Sequence, residues 1–183
     1  MRRLVAVTVA VCMAWMSLGA CYTGPAPVQY AALAVIDGRP TAVVAACGRP
    51  TVGVDLYLDD GTADQDPDLH LWSVLITLPS PVREVEVELL GAPRPGWKIT
   101  SDKIRVMDSG PGGWKVVPLT SIEPGHHYTL DSSAHGPEGA MAPTVKFTTD
   151  DLPNIGAGQV LETVDFDHRK LVSRESFIHD RCG

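Results

Sequence analysis

The sequence lacks any long run of basic residues: among its 183 residues, 15 Lys and Arg stand against 22 Asp and Glu, a formal net charge of −7. An acidic chain without a basic stretch argues against nucleic acid as a partner. The same balance argues against electrostatic capture by an anionic lipid surface. A content of 44% apolar residues excludes a disordered chain, and 15 Pro with 17 Gly favour many turns over long helices.

Long apolar runs are also absent, except near the N-terminus, where residues 4–18 follow Arg2 and Arg3. Only Thr8 and Ser17 interrupt this stretch. Its 15 residues rise about 22 Å as a helix, which is short of the roughly 30 Å hydrocarbon core of a bilayer. We interpret the segment as the apolar region of a signal peptide.

Leu18-Gly19-Ala20-Cys21 directly follows this apolar region and resembles the lipobox of bacterial lipoprotein precursors. The resemblance implies that the Cys21 sulfur receives a diacylglycerol and that a peptidase cuts before it. The mature protein is then expected at the cell membrane, lipid-anchored on the extracytoplasmic face. This interpretation divides the chain into a signal peptide at 1–20, a lipidated tether at 21–30 and a single domain at 31–183.

Three alternatives for the leader stay open. An ordinary secreted protein would be cut at Gly19-Ala20 and keep Cys21 as a free thiol, and an uncleaved leader would act as an anchor helix. Both alternatives still place the domain outside the membrane. Arg2-Arg3 also resembles a twin-arginine export signal, although the flanking pattern is missing.

The chain has four cysteines, of which Cys12 lies in the leader and Cys21 is the expected lipidation site. The remaining pair, Cys47 and Cys182, predicts one disulfide in an oxidising compartment. The alternative is two buried free thiols. The bond would tie down a C-terminal helix expected to have few other contacts, so reduction should release that helix.

Alternating apolar and polar residues predict short β-strands along the domain. Residues 32–36 and 41–46 flank an Asp-Gly pair, which is a hairpin signal. Residues 70–78 are apolar on both faces, which predicts a central strand covered on both sides. Further strands are predicted at 52–58, 84–89, 103–106, 114–119, 127–132, 144–149 and 159–166.

One helix is predicted at 174–181, with Ser173 as its N-cap and with Val172 and Phe177 at the positions of a hydrophobic staple. Short strands and Pro/Gly turns, without crossover helices, predict a mainly β fold. The expected architecture is an antiparallel β-sandwich with a short C-terminal helix.

The segment from Ile122 to Tyr128, with the sequence IEPGHHY, resembles the tyrosine-corner turn of fibronectin type III and bacterial Ig-like modules. The resemblance implies that the Tyr128 hydroxyl returns to the backbone just upstream. Residues 145–149 resemble the closing strand of such a module, and residues 150–183 are then a C-terminal extension. The resemblance concerns the fold and leaves the function open.

Acidic and histidine clusters offer little support for a metal site. The stretch 59–68 holds five Asp but does not match the spacing of an EF-hand loop, so we interpret it as a solvated turn. His126 and His127 are adjacent and would face opposite sides of a strand. With His135 they do not predict a zinc site, and no metal or cofactor is expected.

Glu84, Glu86 and Glu88 share one face of a predicted strand. We interpret them as a solvated edge or as cross-strand partners of Lys103 and Arg105, in preference to a glycosidase carboxylate pair.

Two tryptophans form the candidate binding surface. Trp97 and Trp114 follow predicted exposed turns and would suit a carbohydrate ligand, whereas Trp72 is expected in the core.

No nucleophile motif, phosphate loop or metal-ligand spacing is present, so no catalytic residue is predicted. The favoured function is a non-catalytic, lipid-anchored binding or envelope-associated interaction module, whose partner is an envelope protein or carbohydrate. The alternative is a surface hydrolase with an Asp, Glu or His site assembled from loops. Convergence of His135, His168, His179 or the Glu84–Glu88 ladder in one pocket would favour the enzyme.

Overall fold

The structure, a computed structural model, describes residues 29–59, 72–107, 114–132, 143–165 and 168–183, with the backbone alone for 103–107 and 114–117. The elements of this part of the chain are β1 (Tyr30–Ile36), β2 (Arg39–Ala45), β3 (Thr51–Leu58), β4 (Trp72–Thr77), β5 (Glu84–Glu88), β6 (Trp97–Ser101), β7 (Lys103–Met107), β8 (Trp114–Pro118), β9 (Tyr128–Asp131), β10 (Val145–Phe147), a 3-10 helix (Leu152–Asn154), β11 (Gln159–Asp165), β12 (His168–Ser173) and α1 (Arg174–Cys182).

Sheet I has five antiparallel strands in the order β12-β11-β1-β2-β5. Its β1–β2 hairpin turns at Asp37 and Gly38, whose φ angles are 52° and 76°. Two consecutive left-handed residues are what a type I′ turn requires, and Asp-Gly is a preferred pair for it. The predicted hairpin is confirmed.

Sheet II has five antiparallel strands in the order β10-β9-β3-β4-β6, and β7 pairs with β8 as a separate hairpin. Strand β4 is central, but only its inner face is covered. Ile76 is 2% exposed, whereas Leu75 on the outer face is 38% exposed. The prediction of a strand covered on both faces is wrong, because the apolar outer residues lack a full covering layer.

The main core lies between the inner faces of the two sheets. Its largest fully buried side chains include Leu33, Leu56, Ile76, Tyr128 and Phe147. The apolar residues of β3 alternate into this core as its sequence predicts, because successive side chains of a strand point to opposite faces. The predicted antiparallel β-sandwich with a short C-terminal helix is confirmed.

Helix α1 covers the outer face of sheet I and forms a second core. The hydroxyl of Ser173 accepts the N–H of Ser176, as predicted for the N-cap. Phe177 and Ile178 are buried beneath the helix. They pack on a floor of small side chains, which lets the helix lie close to the sheet: Ala32, Ala34, Val43, Ala45 and Val160.

Ionic contacts and a disulfide also hold α1. Arg174 near its N-terminus pairs with Glu84 at 2.9 Å, and Arg181 near its C-terminus pairs with Glu162 at 2.9 Å. The Cys47–Cys182 disulfide ties the last residue of the helix to the end of β2. The predicted pairing is confirmed, but the expectation that α1 has few other contacts is wrong.

The C-terminal part of the chain, within the expected extension at 150–183, contributes two strands to sheet I. Strand β11 pairs directly with β1, and β12 forms the sheet edge. No strand is predicted at β12, because an edge strand carries polar residues on both faces and shows no clear alternation.

Within the described residues, no helix has the length and hydropathy needed to cross a membrane. The leader, the lipobox and Cys21 lie outside these residues.

Candidate functional site

Tyr128 forms the tyrosine corner that the sequence predicts. Its side chain is 1% exposed, and its hydroxyl accepts the N–H of Glu123 at 2.8 Å. Its ring stacks on Phe147 of β10, with the centroids 5.6 Å apart. Burial raises the pKa of Tyr128, so the hydroxyl stays protonated at neutral pH. Its contacts identify Tyr128 as a structural residue of sheet II.

The glutamates of β5 bind arginines from other parts of the domain. Glu84 and Glu86 both contact the Arg174 guanidinium, and Glu88 pairs with Arg39 at 2.7 Å. Strand β5 is an edge, as one of the two interpretations predicted. The side chains of the other expected partners, Lys103 and Arg105, lie outside the described part. Local patterning missed Arg174, because it lies 90 residues beyond Glu84.

The histidines that the structure describes do not converge. His126 and His127 are exposed near the start of β9, and His179 is exposed on α1. His168 pairs with Asp165 at 2.6 Å on the surface. In the described ranges, no three His, Cys, Asp or Glu side chains are placed to hold a metal ion. His135 and residues 60–68 of the acidic stretch fall outside those ranges.

Trp97 is a poor match for an open carbohydrate platform. It pairs with Ile76 and packs at the margin of the main core. The guanidinium carbon of Arg94 lies 5.4 Å from its ring centroid. The side chain of Trp114 is not among those described, so the proposed pairing of the two tryptophans remains a prediction. Trp72 lies in the core as expected.

A cavity of about 290 Å³ lies where β10 of sheet II faces β11 and β12 of sheet I. Seven of its eight lining residues are polar or charged, and Phe147 is the apolar one. The lining residues are His127, Thr144, Lys146, Phe147, Thr148, Asp151, Thr163 and Arg169. Sequence reasoning missed this cleft, because its residues come from three separate stretches, at 127, 144–151 and 163–169, and form no motif.

Much of the polar lining closes the free edge of β10. Alternate residues of a strand direct their backbone polar groups to the same side. The carbonyls of Thr144 and Lys146 accept hydrogen bonds from the Thr163 hydroxyl at 2.7 Å and from Arg169 at 2.8 Å. The Asp151 carboxylate accepts the N–H of Thr148 at 2.8 Å. These contacts occupy groups that an incoming strand would otherwise bind.

Asp151 and Arg169 form the charged centre of this closure, with 2.9 Å between the guanidinium and the carboxylate. Partial burial opposes ionisation of Asp151. The Thr148 N–H and the Arg169 guanidinium outweigh that effect and lower the pKa of Asp151. Lys146 projects from the same edge and lies 3.5 Å from Asp59. His127, Lys146 and Arg169 are the exposed lining residues of the cleft, and Arg169 is already paired with Asp151.

An acidic pair on the outer face of sheet II also escaped the sequence analysis. Asp55 and Asp131 are direct cross-strand partners, and Asp55 is buried. Burial, followed by the charges of these two carboxylates, raises the pKa of Tyr57 on the same face. Tyr57 therefore stays a neutral phenol, which can donate a hydrogen bond beside the acids.

No protein family, curated protein or solved structure matches this chain.

Proposed function

We propose that this chain is a lipid-anchored, extracytoplasmic lipoprotein whose β-sandwich acts as a non-catalytic binding module of the cell envelope. The observation that carries the proposal is the disulfide between Cys47 and Cys182. Structural disulfides persist in oxidising compartments and are rare in the cytosol. This supports the export that the leader implies, and Cys21 in its lipobox supplies the membrane anchor.

The ion pairs of the candidate catalytic side chains support a binding role. The β5 glutamates are held by arginines, and His168 is held by Asp165. The described cleft beside β10 has a volume near the lower end of small-ligand pockets. His127 and Lys146 at its mouth suit an envelope protein or a carbohydrate that brings hydrogen-bond acceptors.

Replacement of the lipidation site tests the anchor. Cys21→Ala should abolish labelling of the full chain by a fatty-acid analogue and release the protein from membranes, because the lipobox then has no thiol for the diacylglycerol. Cys12→Ala, in the leader, is the matched control and should leave labelling unchanged. Full labelling of the Cys21→Ala chain would overturn the lipid assignment.

A photo-crosslinking amino acid tests the binding role. Placed at His127, at the mouth of the cleft, it should give a discrete crosslinked species in native membranes. The same probe at His179, on the exposed side of α1, should not give that species. Identical products at both positions would contradict binding at the cleft, and turnover of an ester or glycoside that Asp151→Asn abolishes would favour the hydrolase alternative.

A further inference from the structure

The described arginine side chains divide into two groups by partner. Four of these seven pair with carboxylates: Arg39, Arg169, Arg174 and Arg181. The other three, Arg49, Arg83 and Arg94, make no ion pair within the described part of the chain. Burial without a carboxylate partner lowers the pKa of Arg49, although a guanidinium remains charged at any physiological pH.

All three unpaired arginines lie at one end of the sandwich. Arg49 lies in the turn between β2 and β3, Arg83 directly precedes β5, and Arg94 lies in the turn before β6. Strand pairing brings these turns together, because residue 45 pairs with residue 84, 51 with 77, and 76 with 97.

Backbone hydrogen bonds join the three turns into one rigid surface. The Cys47 N–H binds the Arg83 carbonyl at 3.0 Å, and the Leu78 N–H binds the Pro50 carbonyl at 2.8 Å. The Thr77 N–H binds the Gly96 carbonyl at 3.0 Å. Gly96 has a φ of +86°, and a Cβ there would lie 2.9 Å from the Thr77 carbonyl oxygen. Only glycine suits this close approach.

The N-terminal segment leaves the domain at this same end, which we call the tether end. Gln29 is 1% exposed and fixes the point of departure. Its side-chain amide donates a hydrogen bond to the Thr51 carbonyl at 2.7 Å, and its backbone carbonyl accepts one from the Ser132 hydroxyl at 2.9 Å. Seven residues, 22–28, lie between Cys21 and Gln29, and the stretch from Cys21 to Gln29 spans at most about 28 Å.

The turns at the two ends of the sandwich differ in charge. The tether-end turns at 46–51, 77–83 and 91–96 contain three Arg and no Asp or Glu. The nearby acids are on the sheet I side: Glu84 pairs with Arg174, Asp165 pairs with His168, and Asp180 lies on α1. Turns and strand ends at the opposite end carry the acids Asp37, Asp59, Glu88, Asp102, Glu123, Asp150 and Asp151.

We propose that the tether end rests on the anionic headgroups of the bilayer, with Arg49, Arg83 and Arg94 contacting lipid phosphates. This inference rests on the proposed lipid anchor, which holds the tether end within reach of the surface. Guanidinium groups bind phosphate oxygens in a bidentate geometry. Trp97 beside Arg94 is partly exposed and suits the membrane–water interface. The acidic end then faces away from the negative surface.

Headgroup quenching tests this orientation in the full, lipidated chain. A fluorophore is attached through Ser80→Cys in the tether-end turns or through His126→Cys at the opposite end. Each protein is reconstituted in phosphatidylcholine vesicles with or without phosphatidylglycerol, with a nitroxide quencher on the headgroups. With phosphatidylglycerol, the probe at position 80 should be quenched more strongly than the probe at 126. Arg83→Gln should lower the docked-to-undocked ratio about fivefold, the effect of one basic group near an anionic leaflet.

Arg39→Gln is the matched control, since it removes one arginine charge from the opposite end, and it should leave the ratio unchanged. Equal quenching at both positions, or an Arg83→Gln chain that behaves like wild type, would overturn the inference. A preference for position 80 that does not depend on phosphatidylglycerol would overturn the role of lipid charge. Failure of the chain to float with either vesicle would contradict the lipid anchor itself, so the two failures are distinguishable.

Discussion

The outer face of sheet I and the free edge of β10 are closed by different physical means. Helix α1 covers the first with buried Phe177 and Ile178, two arginine pairs and a disulfide. At the β10 edge, side chains of Thr163, Arg169 and Asp151 satisfy backbone groups. The helix face removes a large apolar area from water, whereas the edge exchanges water for protein hydrogen bonds.

The two closures therefore differ in what they determine: the stability of the domain in one case, and the end of sheet II in the other. Burial of an apolar side chain contributes about 1.5–3 kcal/mol relative to exposure, whereas one exchanged hydrogen bond contributes about 1 kcal/mol net. The helix face should therefore determine how stable the domain is. The edge should determine whether sheet II ends at β10 or accepts another strand.

The largest effect is expected at the helix face. Phe177→Ala should lower the free energy of unfolding by about 3–5 kcal/mol, because a fully buried ring leaves a cavity over the alanine floor. The denaturant midpoint measures the change. His179→Ala on the exposed side of α1 is the control and should stay within about 0.5 kcal/mol of wild type. Equal midpoints for the two variants would contradict the importance of this face.

Loss of the disulfide should have the next largest effect. Replacement of both Cys47 and Cys182 by Ser should lower the free energy of unfolding by about 2–5 kcal/mol. The helix should stay docked, since Phe177 and the Arg174 and Arg181 pairs remain. Hydrogen exchange of the α1 amides measures docking. Full loss of their protection under conditions where sheet amides stay protected would restore the expectation that the bond alone holds the helix.

The Tyr128 side chain combines an apolar ring contact with a hydrogen bond, so one substitution can distinguish their contributions. Tyr128→Phe keeps the ring on Phe147 and removes the hydroxyl that accepts the Glu123 N–H. The free energy of unfolding should fall by about 1 kcal/mol. Tyr30→Phe, which removes a hydroxyl elsewhere, should change it less. A wild-type midpoint for the Tyr128→Phe chain would show that the corner hydrogen bond contributes nothing.

The smallest effect is expected at Asp151. The pKa of its carboxyl group is lowered in the folded state. Its contribution to stability is therefore present above the unfolded-state pKa of about 3.9 and is lost as pH falls through the folded-state pKa. Asp151→Asn should remove that acid-side dependence and cost no more than about 1 kcal/mol at neutral pH. Unfolding midpoints measured between pH 7 and 2 check this. An unchanged slope in the variant would show that other carboxylates dominate.

The sequence predicted most of the sandwich, because the core strands repeat the period of two that a half-buried strand imposes. Residues 52–58 follow this rule, the Asp-Gly turn marks the β1–β2 hairpin, and Ser173 begins the helix as its capping chemistry requires. Strand β12 escaped prediction because its residues HRKLVS are polar on both faces. Leu75 led to the wrong prediction for β4, since an apolar residue does not show whether its face is covered.

The site residues were less predictable, because their partners are distant in the chain. The Glu84–Arg174 and Lys146–Arg169 contacts join residues that are 90 and 23 positions apart. Net charge carries no positional information. A total of −7 argues against electrostatic contact with lipid, but a sum over the chain does not show where the unpaired arginines lie.

The alanines beneath α1 also restrict how this protein can diverge. Ala32, Ala34 and Ala45 set the height of the helix above sheet I, and the Cys47–Cys182 bond fixes how far its last turn can rise. An added methyl group in the floor would force helix α1 away from sheet I, whereas the disulfide holds its last turn close to the sheet. Substitutions there should therefore become acceptable only with a smaller side chain at 177 or 178, because packed interiors tolerate changes that conserve volume. Paired substitution of floor and helix residues is the expected pattern of variation among related sequences.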